Sequence, residues 1–184
     1  MILTSDQEAA WDGFFRRNQS GLAYKDRKYL PLAFPQLAED GHVLVEYGCG
    51  HGCSILPIVE KNPTTRCVGC DLSHEALRIF ATRPGYHEHQ SRIRLLHRDA
   101  AQGSALSAEL EESPSLALMT FFLSAVPPQH QRACLDGAWE ALRPGGWLLF
   151  RDHGLYDKCM LRSSKRLHGD DDVHVRADGT LATY

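Results

Sequence analysis

The segment Glu46-Tyr47-Gly48-Cys49-Gly50-His51-Gly52 sets three glycines at alternate positions behind a carboxylate. Glycine accepts positive φ and lets a ligand come close to the backbone, so the spacing suits a turn wrapped against a small molecule. Two more acids close apolar segments: Asp71 after residues 66–70, and Asp99 after residues 93–97. A carboxylate at the first of these can accept both hydroxyls of a ribose, and one at the second can accept from an adenine amino group. Open α/β sheets bind ligands outside the carboxyl ends of their strands, which is where all three acids fall.

The glycine spacing separates two kinds of nucleoside ligand. Dinucleotide sites use G-x-G-x-x-G with the pyrophosphate at a helix N-terminus. Here the pattern is E-x-G-x-G-x-G, and Glu46 would repel a pyrophosphate. The same acid can help hold the cationic methionyl end of S-adenosylmethionine, with S-adenosylhomocysteine as the product. A nicotinamide enzyme and a purely structural glycine turn stay open as alternatives. So do blander roles for single residues: Asp71 as a cap for the helix at Ser73, and Trp11 and Phe15 as packing of an amphipathic helix. Asp152 is equally readable as a strand-end acid paired with Arg151 or Arg143.

Alternating strands and helices must position these acids. A helix with an apolar stripe of Trp11, Phe14 and Phe15, opened by a Ser5/Glu8 capping box, leads into an irregular arm. Asp40-Gly41 turns the chain into a strand over 42–46, and a helix over 53–61 follows the glycine loop, with Pro57 expected to weaken or bend its start. A strand over 66–70 and a Ser73-capped helix to residue 82, stopped by Arg83-Pro84-Gly85, come next. Then come a strand over 93–97, a small polar helix near 105–110, a strand over 116–122 and a helix over 129–142. That helix ends at Arg143-Pro144-Gly145-Gly146, and a strand over 147–150 follows. Five strands separated by helices predict a doubly wound, mainly parallel α/β sheet. Beyond His153 no period is legible.

Composition narrows the class further. At 184 residues the chain suits a single domain: an N-terminal helix and arm over 1–40, a core over 41–152 and a substrate-side segment over 153–184. No run of about 18 apolar residues exists, so no membrane partner is expected. The polar start Thr4-Ser5-Asp6-Gln7-Glu8 is no signal peptide, and a cytoplasmic or nuclear address is expected. A net charge of -3 argues against coating nucleic acid non-specifically, yet residues 151–168 carry five Lys and Arg against two Asp. That strip suits either a solvated surface or phosphate contacts. Cys67 and Cys70 match a zinc spacing, but on a strand they point to opposite faces, and no metal site is expected.

The chain resembles the methyltransferase-like enzymes that make 3-methylcytidine in tRNA. The likeness runs from Trp11 to Thr180 and is carried by Trp11-Asp12-x-Phe14-Phe15, Lys25-Asp26-Arg27, Glu46-Tyr47-Gly48-Cys49-Gly50 and Cys70-Asp71-Leu72-Ser73. It continues through Leu123-Ser124-Ala125-Val126, Arg151-Asp152-His153-Gly154-Leu155-Tyr156-Asp157 and Val175-Arg176-Ala177-Asp178-Gly179-Thr180. The resemblance implies a Rossmann-like class I methyltransferase in which Trp11 and Phe15 pack over S-adenosylmethionine and the arm, with Arg27 and Lys28, closes across it. It implies that Glu46 serves the methionyl end, Gly48 the backbone contact, Asp71 the ribose and Asp99 the adenine, with Gly50, Leu72 and Ala100 also at the cofactor. Thr120 and Phe121 would lie beside the adenine or the reacting methyl. Asp152, His153 and Tyr156 would form the catalytic, base-entry side. tRNA is the implied substrate, with an aminoacyl-tRNA synthetase or another tRNA-binding protein as partner.

The sequence departs from that pattern at His153, where the family commonly has Tyr, and at Val173-His174, where it has an aromatic pair. The family sheet has seven strands where five are legible here, so the expected fold lacks the C-terminal strands, through truncation or because a partner supplies the edge. Small-molecule or protein methylation on the same scaffold, and a non-catalytic binding module, remain alternatives.

Overall fold

A computed structural model describes residues 4–19, 24–105, 107–162, 166–167, 170–176 and 178–184, with backbone alone at 4, 5, 104, 105, 159, 162, 166, 167 and 170–172. Five parallel strands form the central sheet: β1 (Val43–Tyr47), β2 (Arg66–Asp71), β3 (Ile93–His97), β4 (Leu116–Thr120) and β5 (Trp147–Arg151). Their spatial order is β3-β2-β1-β4-β5, so the winding reverses between β1 and β4. Side chains alternate across β1: Leu44 joins a core layer with Ile55, Ile58 and Phe80, whereas Val45 and Tyr47 join one with Met119, Cys134 and Ala138. Cys67 and Cys70 fall in opposite layers, as their spacing on a strand requires.

The helices follow the sequence with instructive shifts. Helix α1 spans Thr4–Arg17, and a short α2 (Leu30–Ala33) closes the arm. The Ser5 side chain, and with it the expected capping box, lies outside the described residues. Helix α3 (Ile55–Lys61) is not broken by Pro57, because the first N–H groups of a helix have no intrahelical acceptor to lose. Helix α4 (His74–Thr82) carries the expected cap, with the Ala76 amide donating to Ser73 Oγ at 3.1 Å. Pro84 then both ends α4 and opens α5 (Pro84–His89), since its fixed φ suits a first helical position. Two 3-10 turns, Ala100–Ala105 and Ser107–Glu109, stand where one polar helix was expected. Strand β4 stops at Thr120 because Phe121 takes φ +54°, and α6 covers Pro128–Ala141.

The segment without a legible period is not shapeless. After α7 (Lys158–Arg162), β6 (Arg166–Leu167), β7 (Asp170–Val175) and β8 (Leu181–Thr183) form a small antiparallel sheet. The β7–β8 turn is closed by the Arg176 amide donating to the Thr180 carbonyl at 2.8 Å, while Asp178 Oδ1 accepts from Thr180 N and Oγ1. Thr183 Oγ1 donates to the Ser124 carbonyl, which fastens this sheet to the loop after β4. Strand β5 forms an edge of the main sheet, and Trp147 on it is 58% exposed.

Candidate functional site

The glycine loop between β1 and α3 turns through left-handed backbone at Gly48, Gly50 and Gly52. At Gly52 the requirement is also steric, because a Cβ would lie 2.3 Å from the Phe80 ring. The loop is held from the next strand. Asp71 Oδ2 accepts the Gly50 amide at 2.7 Å, and Oδ1 accepts the Ser73 amide at 2.8 Å. Burial raises the Asp71 carboxyl, an effect opposed by these two amides. Each oxygen keeps a second lone pair for a ligand.

Helix α1 roofs the strand tips. Asp12 Oδ1 accepts from Ser73 Oγ at 2.7 Å and from the Glu75 amide at 3.1 Å, which docks α1 on the start of α4. Phe15 packs with Ala76 and Ile79 beneath, and Trp11 lies beside it. The arm is pinned by the Arg27 amide donating to the Cys53 carbonyl at 2.8 Å. The Arg27 guanidinium then reaches inward, donating to Ser54 Oγ at 3.0 Å and lying 5.5 Å from the Phe121 ring centre.

Between roof and strand tips lies a cavity of about 540 Å³. Trp11, Phe15 and Arg27 line it from above, and Gly48, Gly50, Asp71 and Leu72 from the loop and β2. Asp99, Ala100, Thr120 and Phe121 complete the wall. Asp99 Oδ1 accepts the Ala101 amide at 2.9 Å. Eleven of the thirteen residues expected at a cofactor are thus brought to one space.

The other two stand apart. Lys28 is not on the cavity wall, because the arm presents Lys25, Arg27 and Tyr29 to it instead. Glu46, 0% exposed, lies behind the loop rather than on the wall. Burial pushes its carboxyl up to about 7, against the pull of Arg27, whose Nη1 is 3.7 Å from Oε1, and of the nearby Ser54 hydroxyl, which is not in hydrogen-bonding geometry with it. Among the described residues, neither Glu46 oxygen has a hydrogen-bond partner, and neither has Thr120 Oγ1.

The residues expected on the catalytic side spread over two spaces. His153 lines the main cavity and contacts Phe121, with ring centres 4.9 Å apart. Asp152 faces a smaller neighbouring cavity of about 410 Å³, shared with His153, Phe150 and Tyr184. Its Oδ1 accepts the His153 amide and its Oδ2 the Ser124 amide, at 2.8 and 2.9 Å. Tyr156 lines neither cavity and is 76% exposed, on left-handed backbone at φ +65°. Of the basic strip, Arg151 stacks over Tyr29, while the Arg162, Lys165 and Arg166 side chains lie outside the described residues.

Sequence reasoning missed several wall residues. Gln7, Tyr24, Tyr29 and Arg176 reach the cavity from the roof, the arm and the β7–β8 turn. The four-residue spacing from Gln7 to Trp11 to Phe15 was the readable signal for the first of these.

An apolar slot under Trp11 and Phe15, acids at two strand tips and an unsatisfied buried carboxylate behind the loop suit a nucleoside with a cationic tail. With the reversal between β1 and β4, these features define a Rossmann-like, S-adenosylmethionine-dependent methyltransferase of class I. A family model described as a methyltransferase domain matches residues 45–148, and the chain belongs to that family.

Among curated proteins, the chain is 34% identical to the tRNA N(3)-methylcytidine methyltransferase Mettl2 of Drosophila melanogaster, over 98% of this chain and 58% of that protein. It is 32% identical to the tRNA N(3)-cytidine methyltransferase METTL6 of Homo sapiens, over 99% and 65% respectively. It is 31% identical to the tRNA N(3)-methylcytidine methyltransferase trm140 of Schizosaccharomyces pombe, over 96% and 59%. The chain therefore spans 58–65% of the length of these relatives. Among solved structures, the O-methyltransferase region of StiE superposes with a TM-score of 0.54 at 24% identity, over 66% of this chain and 40% of that one. The glycopeptide N-methyltransferase MtfA gives 0.55 at 17%, over 68% and 53%. At these identities the likeness is one of fold.

Proposed function

We propose that the protein methylates N3 of a cytosine in tRNA. The observation that carries this reading is the near end-to-end match to relatives named for that reaction, which takes in the roof helix, the arm and the β7–β8 turn as well as the common core. The cavity is compatible with it: Lys25, Arg27, Arg98 and Arg176 on its wall outnumber Asp71 and Asp99, an excess of positive charge that favours phosphates nearby. A net charge of -3 supplies little general attraction for RNA, which favours help from a tRNA-binding partner such as a synthetase.

When bound, S-adenosylmethionine supplies a methyl group on a cationic sulfur that leaves as a neutral thioether. Cytosine N3 already holds a lone pair, so no residue need create the nucleophile. The residues supply alignment, an effect worth at most roughly 7–11 kcal/mol. In this reading Trp11 and Phe15 cover the nucleoside, Asp71 and Asp99 serve ribose and adenine, and Glu46 acts on the methionyl ammonium only as a charge buried behind the loop. Phe121 and His153 offer faces on which an unstacked base can rest. Asp152 holds the His153 backbone and is placed as a positioning residue. Its carboxylate also favours the positive charge of the methylated base.

The test is transfer of labelled methyl to total tRNA, alone and with candidate tRNA-binding partners, with the modified nucleoside identified by mass spectrometry. Label in 3-methylcytidine is the expected outcome. Label in a metabolite or peptide in preference to tRNA would overturn the substrate while leaving the class intact.

A further inference from the structure

We propose that Gln7 reads the adenine of the cofactor, its Oε1 accepting a hydrogen bond from the exocyclic amino group. Gln7 lines the cavity, is 5% exposed, and its Oε1 has no hydrogen-bond partner among the described residues. A buried amide oxygen left unpaired is costly, and such groups in native proteins are ordinarily matched by a partner or a ligand.

The position of that oxygen follows from the helix. Residues 7, 11 and 15 are four apart and share one face of α1, spanning about 12 Å along its axis. At one end Phe15 lies over the glycine elbow, where a Cβ on Gly50 would sit 3.4 Å from its ring. At the other end Glu8 Oε1 is 3.2 Å from His97 Nε2, which is itself 2.8 Å from the Leu72 carbonyl. The first turn of α1 thus stands over the tips of β2 and β3, and Gln7 on it lines the same cavity as Asp99. An adenosyl group laid along this face puts its methionyl end at Phe15 and its base at Gln7. The adenine amino group carries two N–H donors, and Asp99 and Gln7 together offer an acceptor for each. Both sides of the base edge are then read, one from the sheet and one from the roof.

This inference rests on the cavity binding an adenosyl cofactor, and the experiment separates the two claims. Binding of S-adenosylhomocysteine and of its purine analogue lacking the amino group is measured by calorimetry for the wild type and Gln7→Met, alongside the melting temperature of each ligand-free protein. Methionine keeps the length and helix preference of glutamine without the amide. The wild type is expected to prefer the adenine ligand. Gln7→Met should lose about five- to tenfold affinity for it, the scale of one neutral hydrogen bond, with little change for the analogue. The ligand-free variant should melt no lower than the wild type, because an orphaned polar atom has been removed. Equal losses for both ligands, no loss for either, or a variant that unfolds earlier would overturn the role of Gln7. A wild type that binds neither ligand would overturn the cofactor site itself.

Discussion

Asp71 and Gly50 are joined by a 2.7 Å hydrogen bond from the loop amide to the strand-tip carboxylate, so the residue proposed to hold a ribose also fixes the turn that the cofactor would lie against. Asp71→Ala removes both functions at once and frees two amides, of Gly50 and Ser73. Hydrogen bonds to a charged acceptor are worth roughly 1.5–3 kcal/mol each. The variant should lose at least about tenfold in affinity for S-adenosylhomocysteine and melt several degrees lower. Calorimetry and thermal unfolding check this, and unchanged affinity would contradict the dual role.

Glu46 gives the protein a pH dependence of definite sign. Burial lifts its carboxyl from an ordinary 4.5 to about 7, so the folded state holds this proton more tightly than the unfolded chain does. The group's contribution to stability is complete below pH 4.5 and is lost as pH rises through 7. Ligand-free protein should accordingly lose stability across that window, and Glu46→Gln should flatten the slope. A cationic ligand favours the ionised form, so binding of S-adenosylmethionine should release protons near neutrality. Titrations in buffers of different ionisation enthalpy detect that release.

Gly52 and Gly145 share left-handed backbone but differ in surroundings. A Cβ at Gly52 would meet Phe80 at 2.3 Å, whereas one at Gly145 would have none of the described residues within 4 Å. Gly145→Ala should cost about 1–2 kcal/mol from conformation alone. Gly52→Ala should add a packing penalty of about 1–3 kcal/mol. Denaturant unfolding compares the two, and equal costs would show that the Phe80 contact relaxes.

Among the described residues strand β5 presents an open edge with Trp147 and Phe150 exposed, a template for unwanted strand pairing. Concentrated protein should self-associate, and Trp147→Lys should reduce this. A concentration series by light scattering that stays monomeric for the wild type would contradict it.

The parts of this molecule that the chain spells out are those where one residue type has one physical use. Ser73 reads as a helix cap, Gly48 to Gly52 as a turn, and Asp71 and Asp99 as strand tips. Pro57 misled because its effect depends on a helix boundary only two residues away. Gln7 was missed because a glutamine on an amphipathic helix looks like surface until the roof is in place, although its spacing from Trp11 and Phe15 puts it on their face. The β7–β8 hairpin was hidden by its composition, since Asp170-Asp171-Asp172 is a poor strand signal and its pairing is decided by the Asp178-Gly179 turn. Asp152 and His153 were singled out by likeness alone. Their division of labour needed coordinates, because it turns on one backbone hydrogen bond.

The most direct test of the cofactor site is a crystal structure with S-adenosylhomocysteine bound. The ligand should lie under Trp11 and Phe15, with its ribose at Asp71 and its adenine between Asp99 and Gln7. Ligand density elsewhere on the molecule, or none in this cavity at saturating concentration, would contradict it.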